Sequence, residues 1–308
     1  MGLKHLGDIE LPPHAGPGGF DHAAVHGGRG RLYVAHTAND ALDVIDCARR
    51  TYTGSIRDLA GVAGALVSEE HDLVFTSNRS ENTVAIFSPP QEQAVVKVEV
   101  GVRPNGLAYA PAHRLLLVAN VGDPSMPQSF TVSMVDVAAR RRIDDIPVPG
   151  RTRWAMFDHE TDSFYVNIAD PPQIVVIGAT TRGRVTRAFT IPAAGPHGLD
   201  LDAASRRLFC ACDGRSLVVL DSRSGDVLAD AELSGVPDVI FFNSALRRLY
   251  VAIGDPGLIE VFETEGLRRV EALATERGGH TLAFDRASNT VYAFLPATHR
   301  AAVYQDGG

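Results

Sequence analysis

The sequence predicts an all-β chain folded as a seven-bladed β-propeller. Three observations carry the prediction. One motif recurs seven times at intervals of about 40–45 residues, each copy reads as four short strands, and the two chain ends supply complementary parts of one copy.

The repeat is visible when the copies are laid under one another. They are FDHAAVHGGRGRLYVAHTANDALDVID, GALVSEEHDLVFTSNRSENTVAIF, PNGLAYAPAHRLLLVANVGDP running on to FTVSMVDV, RWAMFDHETDSFYVNIADPPQIVVIG, PHGLDLDAASRRLFCACDGRSLVVLD, PDVIFFNSALRRLYVAIGDPGLIEVFE and GHTLAFDRASNTVYAFLPATHRAAVY. Anchoring on Asp21, Gly64, Asn105, Arg153, His197, Asp238 and His280 gives spacings of 43, 41, 48, 44, 41 and 42. An insertion around Pro124, Ser125, Met126 and Pro127 accounts for the long interval. Each copy opens with a short strand (Leu107, Tyr109) and turns into an apolar strand such as Arg31-Leu32-Tyr33-Val34-Ala35. A polar turn leads to an alternating strand such as Ala41-Leu42-Asp43-Val44-Ile45-Asp46, and a fourth, more polar strand ends at a Gly/Pro turn. No segment sustains a helical period over three turns.

The last copy, Gly279 to Tyr304, holds only three strands. Residues Lys4 to Pro12 resemble the fourth-strand segment Arg142–Pro147. Residues 3–11 are therefore expected to complete the last blade and close the ring, which protects the sheet edges at the seam. Residues 1–308 then form a single domain without a linker.

Composition excludes several classes. The chain has 29 Lys+Arg against 37 Asp+Glu, a net charge of −8, with 45% hydrophobic and 21% charged residues. This is a globular composition, not a disordered one. The acidic balance argues against a nucleic-acid partner, and no apolar run reaches the length of a membrane span. The start lacks the basic-then-apolar pattern of a secretory signal, so a cytoplasmic location is expected, or a periplasmic one if a leader has been removed. Cys47, Cys210 and Cys212 are too few and odd in number for a disulfide framework. Cys210 and Cys212 share a strand face and read as small buried hydrophobes in a reducing compartment.

The blade motif resembles the YVTN-repeat seven-bladed propellers. YVAHTANDALDVID at 33–46 is close to that repeat, and LLVANVGDP, FYVNIADPP and LYVAIGDPG are looser copies. The resemblance implies the architecture over nearly the full length. For activity it implies little, because such propellers include binding and surface proteins. Gluconolactonase-like and streptogramin-lyase-like propellers are similar in architecture and place a divalent ion at the channel mouth, but their motifs do not match here.

Candidate chemistry lies where the inner strands converge on the axis. The anchor ring contributes two His, two Asp, one Asn and one Arg to a repeat otherwise rich in Ala, Val, Leu, Tyr and Phe. Imidazole and carboxylate are ligands for a divalent ion such as Zn, Mn or Fe. The expected ligands are His197, Asp238, His280 and Asp21 or His22; a one-residue slip decides which of the last two faces the channel, or the two form a pair using both faces at a bend. His197, His280 and Arg153 are the candidate catalytic groups, and Asn105, Arg153 and Trp154 the candidate substrate contacts. A metal-free acid–base site, or a polar channel whose charges satisfy one another, are the competing readings.

The expected function is that of a metal-dependent enzyme, a lactonase-like hydrolase or a lyase, acting on a small oxygenated or carboxylated molecule. The alternative is a non-catalytic propeller that binds a ligand or protein, with monomer and dimer equally compatible. Other histidines read as structural: His26, His71, His113 and His159 at the first-to-second-strand turn, His36 at a strand end, and His14 and His299 in loops. No G-x-S-x-G elbow or phosphate-binding glycine loop is present.

Overall fold

The computed structural model describes residues 2–91, 94–181 and 183–308, and these form seven sheets of four antiparallel strands each. The innermost strands are Ala23–His26, Val62–Ser68, Pro104–Ala110, Thr152–Asp158, Pro196–Asp202, Val236–Asn243 and Leu282–Asp285. Numbering blades by these strands, six blades are built from consecutive strands. The seventh is completed by Leu3–Glu10, which pairs with Arg300–Asp306 so that Leu3 faces Asp306 and Glu10 faces Arg300.

The strand patterns follow from burial. Second strands such as Leu115–Asn120 are buried at every position and read as unbroken apolar runs, because each sheet is covered on both faces. Outer strands such as Val227–Glu232 lie at the rim and are largely exposed. The described apolar residues form seven core clusters, one at each junction between neighbouring blades. Between blades 4 and 5, Tyr165, Phe189 and Leu199 pack with Cys210 and Cys212, whose sulfurs lie 3.8 Å apart as free thiols. Between blades 7 and 1, Ile9 and Leu11 of the closing segment pack with Phe20, Tyr292 and Phe294.

Two details correct the sequence reading. In blade 2 the anchor is Ala63, not Gly64. Val62 pairs with Asn78 and Gly64 with Ser77, as Pro196 pairs with Cys212 and Gly198 with Ala211. A side chain on Gly64, Gly106 or Gly198 would collide with the carbonyl oxygen of Asn105, Arg153 or Asp238 in the following blade. Glycine therefore marks the tight blade-to-blade contact, one position after the anchor. With Ala63 the first two spacings become 42 and 42.

Of the histidines expected at the surface, His26 and His36 are buried, whereas His113 and His159 are exposed as expected. His36 is fully buried against Asp43 at 2.7 Å, because the segment at Pro13 and Ala15 folds over it and is held by Asn39. His26 reaches Asp72 at 3.0 Å, His71 reaches the Tyr109 hydroxyl at 2.8 Å and His113 reaches Asp162 at 2.7 Å. Each of these contacts clasps one blade to the next.

Ring closure makes a direct prediction. Ile9 is 3% exposed, so Ile9→Ala should lower unfolding free energy by about 2–4 kcal/mol. Deleting residues 1–11 removes this contact and unpairs the edge of Arg300–Asp306. The deletion is expected to abolish cooperative thermal unfolding by circular dichroism, and retention of the full-length midpoint would contradict the closure.

Candidate functional site

The anchors owe their direction to irregular strand starts. Pairing with the second strand shifts register between Val62 and Gly64, Pro104 and Leu107, Thr152 and Ala155, Pro196 and Gly198, and Pro237 and Ile240. Such bulges re-aim side chains at a strand end. The choice between Asp21 and His22 thereby resolves as both: they precede the regular strand Ala23–His26, and each lines the same polar cavity.

That cavity, of about 260 Å³, opens at the end of the channel where the inner strands begin. It brings together Asp21, His22, Asn105, Arg153, His197, Asp238 and His280. Trp154 is the exception among the expected residues. Its ring packs on that of His22 with centroids 4.3 Å apart and faces a second, apolar compartment further along the channel. Blades 1 and 4 lie on opposite sides of the ring, so these two side chains meet across the axis and partition the channel.

Four residues that sequence reasoning missed complete the site. Arg79, Arg103 and Arg151 line the cavity, and Asp213 stands behind His197. The repeat carried a signal for each. Two positions before the anchor the blades read Gly19, Gly61, Arg103, Arg151, Gly195, Val236 and Gly278, so two adjacent blades place an arginine where four use glycine. Arg79 and Asp213 are each the first residue after the second strand of their blade.

Ion pairs organise part of the ring. Arg79 binds Asp21 at 3.0 Å and donates to the Asn105 amide oxygen at 2.6 Å, so Asn105 positions a cation rather than facing the cavity alone. Arg153 donates to Asp213 at 3.0 Å. Among the described residues, no hydrogen bond or ion pair holds the Arg103 or Arg151 side chain. Partial burial, then the neighbouring charges of Arg153, Arg103 and Arg79, depress the affinity of the Arg151 guanidinium for its proton. The mouth thus concentrates four guanidinium groups in a chain of net charge −8.

Two histidines are set for proton transfer. His197 Nδ1 donates to Asp213 at 2.7 Å, leaving Nε2 between Arg153 at 3.3 Å and Asp238 at 3.2 Å. Neutral, Nε2 accepts from Arg153; protonated, it donates to Asp238. Burial works to raise the Asp213 carboxyl, but the hydrogen bond and charge of His197 and the charge of Arg153 hold it below the usual carboxylate range. Burial likewise works against the Asp238 charge, and His197, His280, His22 and Arg153 together keep it ionised. His280 Nδ1 donates to the Gly278 carbonyl at 2.7 Å, so the neutral ring presents the Nε2 lone pair, 4.0 Å from Asp238. A histidine with its tautomer fixed in this way presents a lone pair that can accept a proton from a bound molecule.

A divalent cation fits this arrangement less well. Among the described residues, no three His, Cys, Asp or Glu side chains are grouped as ligands to one ion. The expected ligands Asp21, His22, His197, Asp238 and His280 share the cavity, but Arg79 takes Asp21 and Arg153 takes the His197 lone pair. Four guanidinium groups around the mouth repel a second cation.

Comparison with known proteins supports the fold alone. No family model matches the chain, and no curated protein sequence matches it. A structure of Kuenenia stuttgartiensis hydrazine synthase superposes with a TM-score of 0.83 at 12% identity, covering 94% of this chain and 96% of that one. A chain of the mitotic checkpoint complex superposes with a TM-score of 0.82 at 9% identity, covering 98% of this chain and 92% of that one. One comes from an enzyme and the other from an assembly, so the shared seven-bladed architecture does not select a role.

The buried ring of His22 generates a pH dependence. Burial is the largest influence on it and holds its pKa below the ordinary histidine value, against the charges of Asp21 and Asp238. Below about pH 6.5 the unfolded chain takes up a proton that the folded His22 refuses, so stability falls with pH, at most about 1.4 kcal/mol per unit for one group. Asp213 and Asp238, held below the ordinary carboxylate value, add a further loss near and below pH 4. In urea titrations from pH 7.5 to 5.5, His22→Gln should flatten the decline relative to the unaltered protein. Equal slopes would show that His22 takes up its proton without cost.

Proposed function

We propose that the channel mouth binds a small oxygenated anion, with a carboxylated molecule as its substrate or ligand. The observation that carries this reading is the convergence of four guanidinium groups on one cavity, two of which, Arg103 and Arg151, form no ion pair among the described residues. A guanidinium fork matches a carboxylate in two parallel hydrogen bonds, and it stays charged at any physiological pH. Arg153, already turned toward Asp213 and His197, can orient the bound molecule. His280 Nε2 is the base that faces it, and His197 can hold a proton between Arg153 and Asp238. These groups supply metal-free acid–base chemistry on a carboxylated substrate.

A metal-dependent hydrolase of lactonase type, or a lyase, is the second reading. It is favoured by one observation: Asp238 stands between His197 and His280, at 3.2 and 4.0 Å. Elemental analysis of the untagged protein beside His197→Ala and His280→Ala separates the readings, since near-stoichiometric metal lost in both variants would restore the metal site. A non-catalytic role in a YVTN-like scaffold would leave every mouth substitution silent toward small ligands.

The anion reading is tested by calorimetric titration with acetate, glutarate, citrate and inorganic phosphate at low salt. At least one should bind with a dissociation constant below about 1 mM and weaken as salt is added. Arg103→Ala with Arg151→Ala should weaken it by about tenfold or more, the loss expected for a charged hydrogen bond. Binding that the double variant leaves unchanged, or no binding by any of the four anions, would end this reading.

A further inference from the structure

The channel below the His22–Trp154 layer has a different chemistry from its mouth. This second compartment has a volume of about 450 Å³, in the range of sites for drug-sized molecules. Its wall includes Leu66, Val67, Trp154, Met156, Phe157 and Phe241, all partly exposed to the channel. Channel-facing strand positions could carry polar residues at no cost in solvation, as the anchors do. Here the inner strands of blades 4 and 6 turn apolar within four residues of their polar anchors, and blade 2, whose anchor is Ala63, is apolar throughout this stretch.

The charges at the far rim have the opposite sense to those at the mouth. Glu69, Glu70, Asp200 and Arg286 stand there, three carboxyls against one guanidinium. Asp200 is committed internally: its oxygens accept from the Phe242 amide at 2.6 Å and the Leu201 amide at 2.8 Å. Glu69 accepts from the amides of Gly27 and Gly28. Among the described residues Arg286 is the one guanidinium on this lining, and it already faces Asp200 at 3.6 Å. The channel therefore presents, in order along its axis, a cationic mouth, an apolar chamber and an acidic rim.

We propose that the two compartments form one bipartite site for an amphipathic carboxylate. The head is held by Arg103 and Arg151 at the mouth, and an aliphatic or aromatic body lies in the apolar chamber. His22 lines both compartments, so the ring pair of His22 and Trp154 is the layer between them. Displacing the His22 ring joins the two spaces, and the body then lies against the Trp154 indole. The order of charges fixes the direction of binding, head toward the arginines and away from Glu69, Glu70 and Asp200. This inference rests on the anion reading of the mouth and specifies its substrate class.

Trp154 is the only tryptophan, so its fluorescence reports the boundary directly. The probes are straight-chain carboxylates from acetate to decanoate and the primary alcohols of equal length, each below its micelle concentration. Carboxylate affinity should rise about fourfold per methylene from butanoate onward, with a matching change in Trp154 emission. Ala24→Phe, which adds bulk to the chamber from blade 1, should remove the rise while leaving acetate and citrate affinity unchanged. Val67→Phe serves the same purpose from blade 2 if the first variant unfolds in a thermal melt. Arg103→Ala with Arg151→Ala should weaken every carboxylate and leave the alcohols unaffected. Carboxylates that bind with no dependence on chain length would overturn the bipartite site while leaving the anion reading intact. Alcohols that bind as tightly as carboxylates would also overturn it, since the head would then go unread. No carboxylate binding at all would remove the anion reading and this inference together.

Discussion

Everything in this structure depends on the fact that a blade cannot bury its own faces. A four-stranded sheet with apolar residues on both sides must be covered twice, and here each cover is the next blade. The seven core clusters lie at the seven junctions, so the apolar area that stabilises the fold belongs to pairs of blades. Such a set has no stable open form with two uncovered faces. Pairing Leu3–Glu10 with Arg300–Asp306 is the hydrogen-bonded closure that this demand requires. Clasps such as His26 to Asp72 and His113 to Asp162 repeat the same logic at the periphery, with polar groups in place of apolar ones.

Closure also creates the site. Once seven sheets are packed face to face, the starts of seven inner strands are brought to one axis, whatever residues they carry. The chain uses that convergence unevenly. Blades 3 and 4 bring Arg103, Arg151 and Arg153, while blades 1, 5 and 6 bring Asp21, Asp213 and Asp238. Cations and anions thus approach one cavity from different sectors of the ring. Arg79 from blade 2 and Arg153 from blade 4 meet acids from blades 1 and 5. Arg103 and Arg151 lie between them and form no ion pair among the described residues, which is why the excess positive charge is local to that sector.

Repeat arithmetic made the architecture legible before any coordinates, because each blade obeys the same burial rule and so repeats the same pattern. The ring closure at residues 3–11 was legible for the same reason, as a missing fourth strand at one end and a spare one at the other. The anchors Asp21, Asn105, Arg153, His197, Asp238 and His280 were legible as polar residues at an apolar repeat position, and all line one cavity. What escaped lies outside regular alternation. Period-two reasoning fails at the bulged strand starts, so it could not place Trp154 below the mouth or settle Asp21 against His22. It also slips by one in blade 2, where Gly64 stands next to the anchor Ala63 and answers to the Asn105 carbonyl of the next blade. Arg79 and Asp213 come from the loop after the second strand, which an inner-strand search never visits. The closeness of the guanidinium groups is a tertiary fact, although the substitution of arginine for glycine at 103 and 151 was its trace in the repeat.

The environment of His197 shows what the mixed charge at the mouth achieves. A buried imidazole whose outer nitrogen met only Asp238 would be locked as a cation, and one that met only Arg153 would be locked neutral. Nε2 meets both, at 3.2 and 3.3 Å, while Nδ1 stays bound to an ionised Asp213. In either state Nε2 keeps one partner of the matching sense, Arg153 as donor to the neutral ring or Asp238 as acceptor from the protonated one. His280 differs. Its Nδ1 is fixed by a neutral carbonyl, and its Nε2 has Asp238 only at 4.0 Å, so its lone pair remains directed to the cavity. One imidazole is held between a donor and an acceptor, and the other leaves its lone pair open to the cavity. In the anion reading proposed above, Arg103 and Arg151 hold the bound molecule between them.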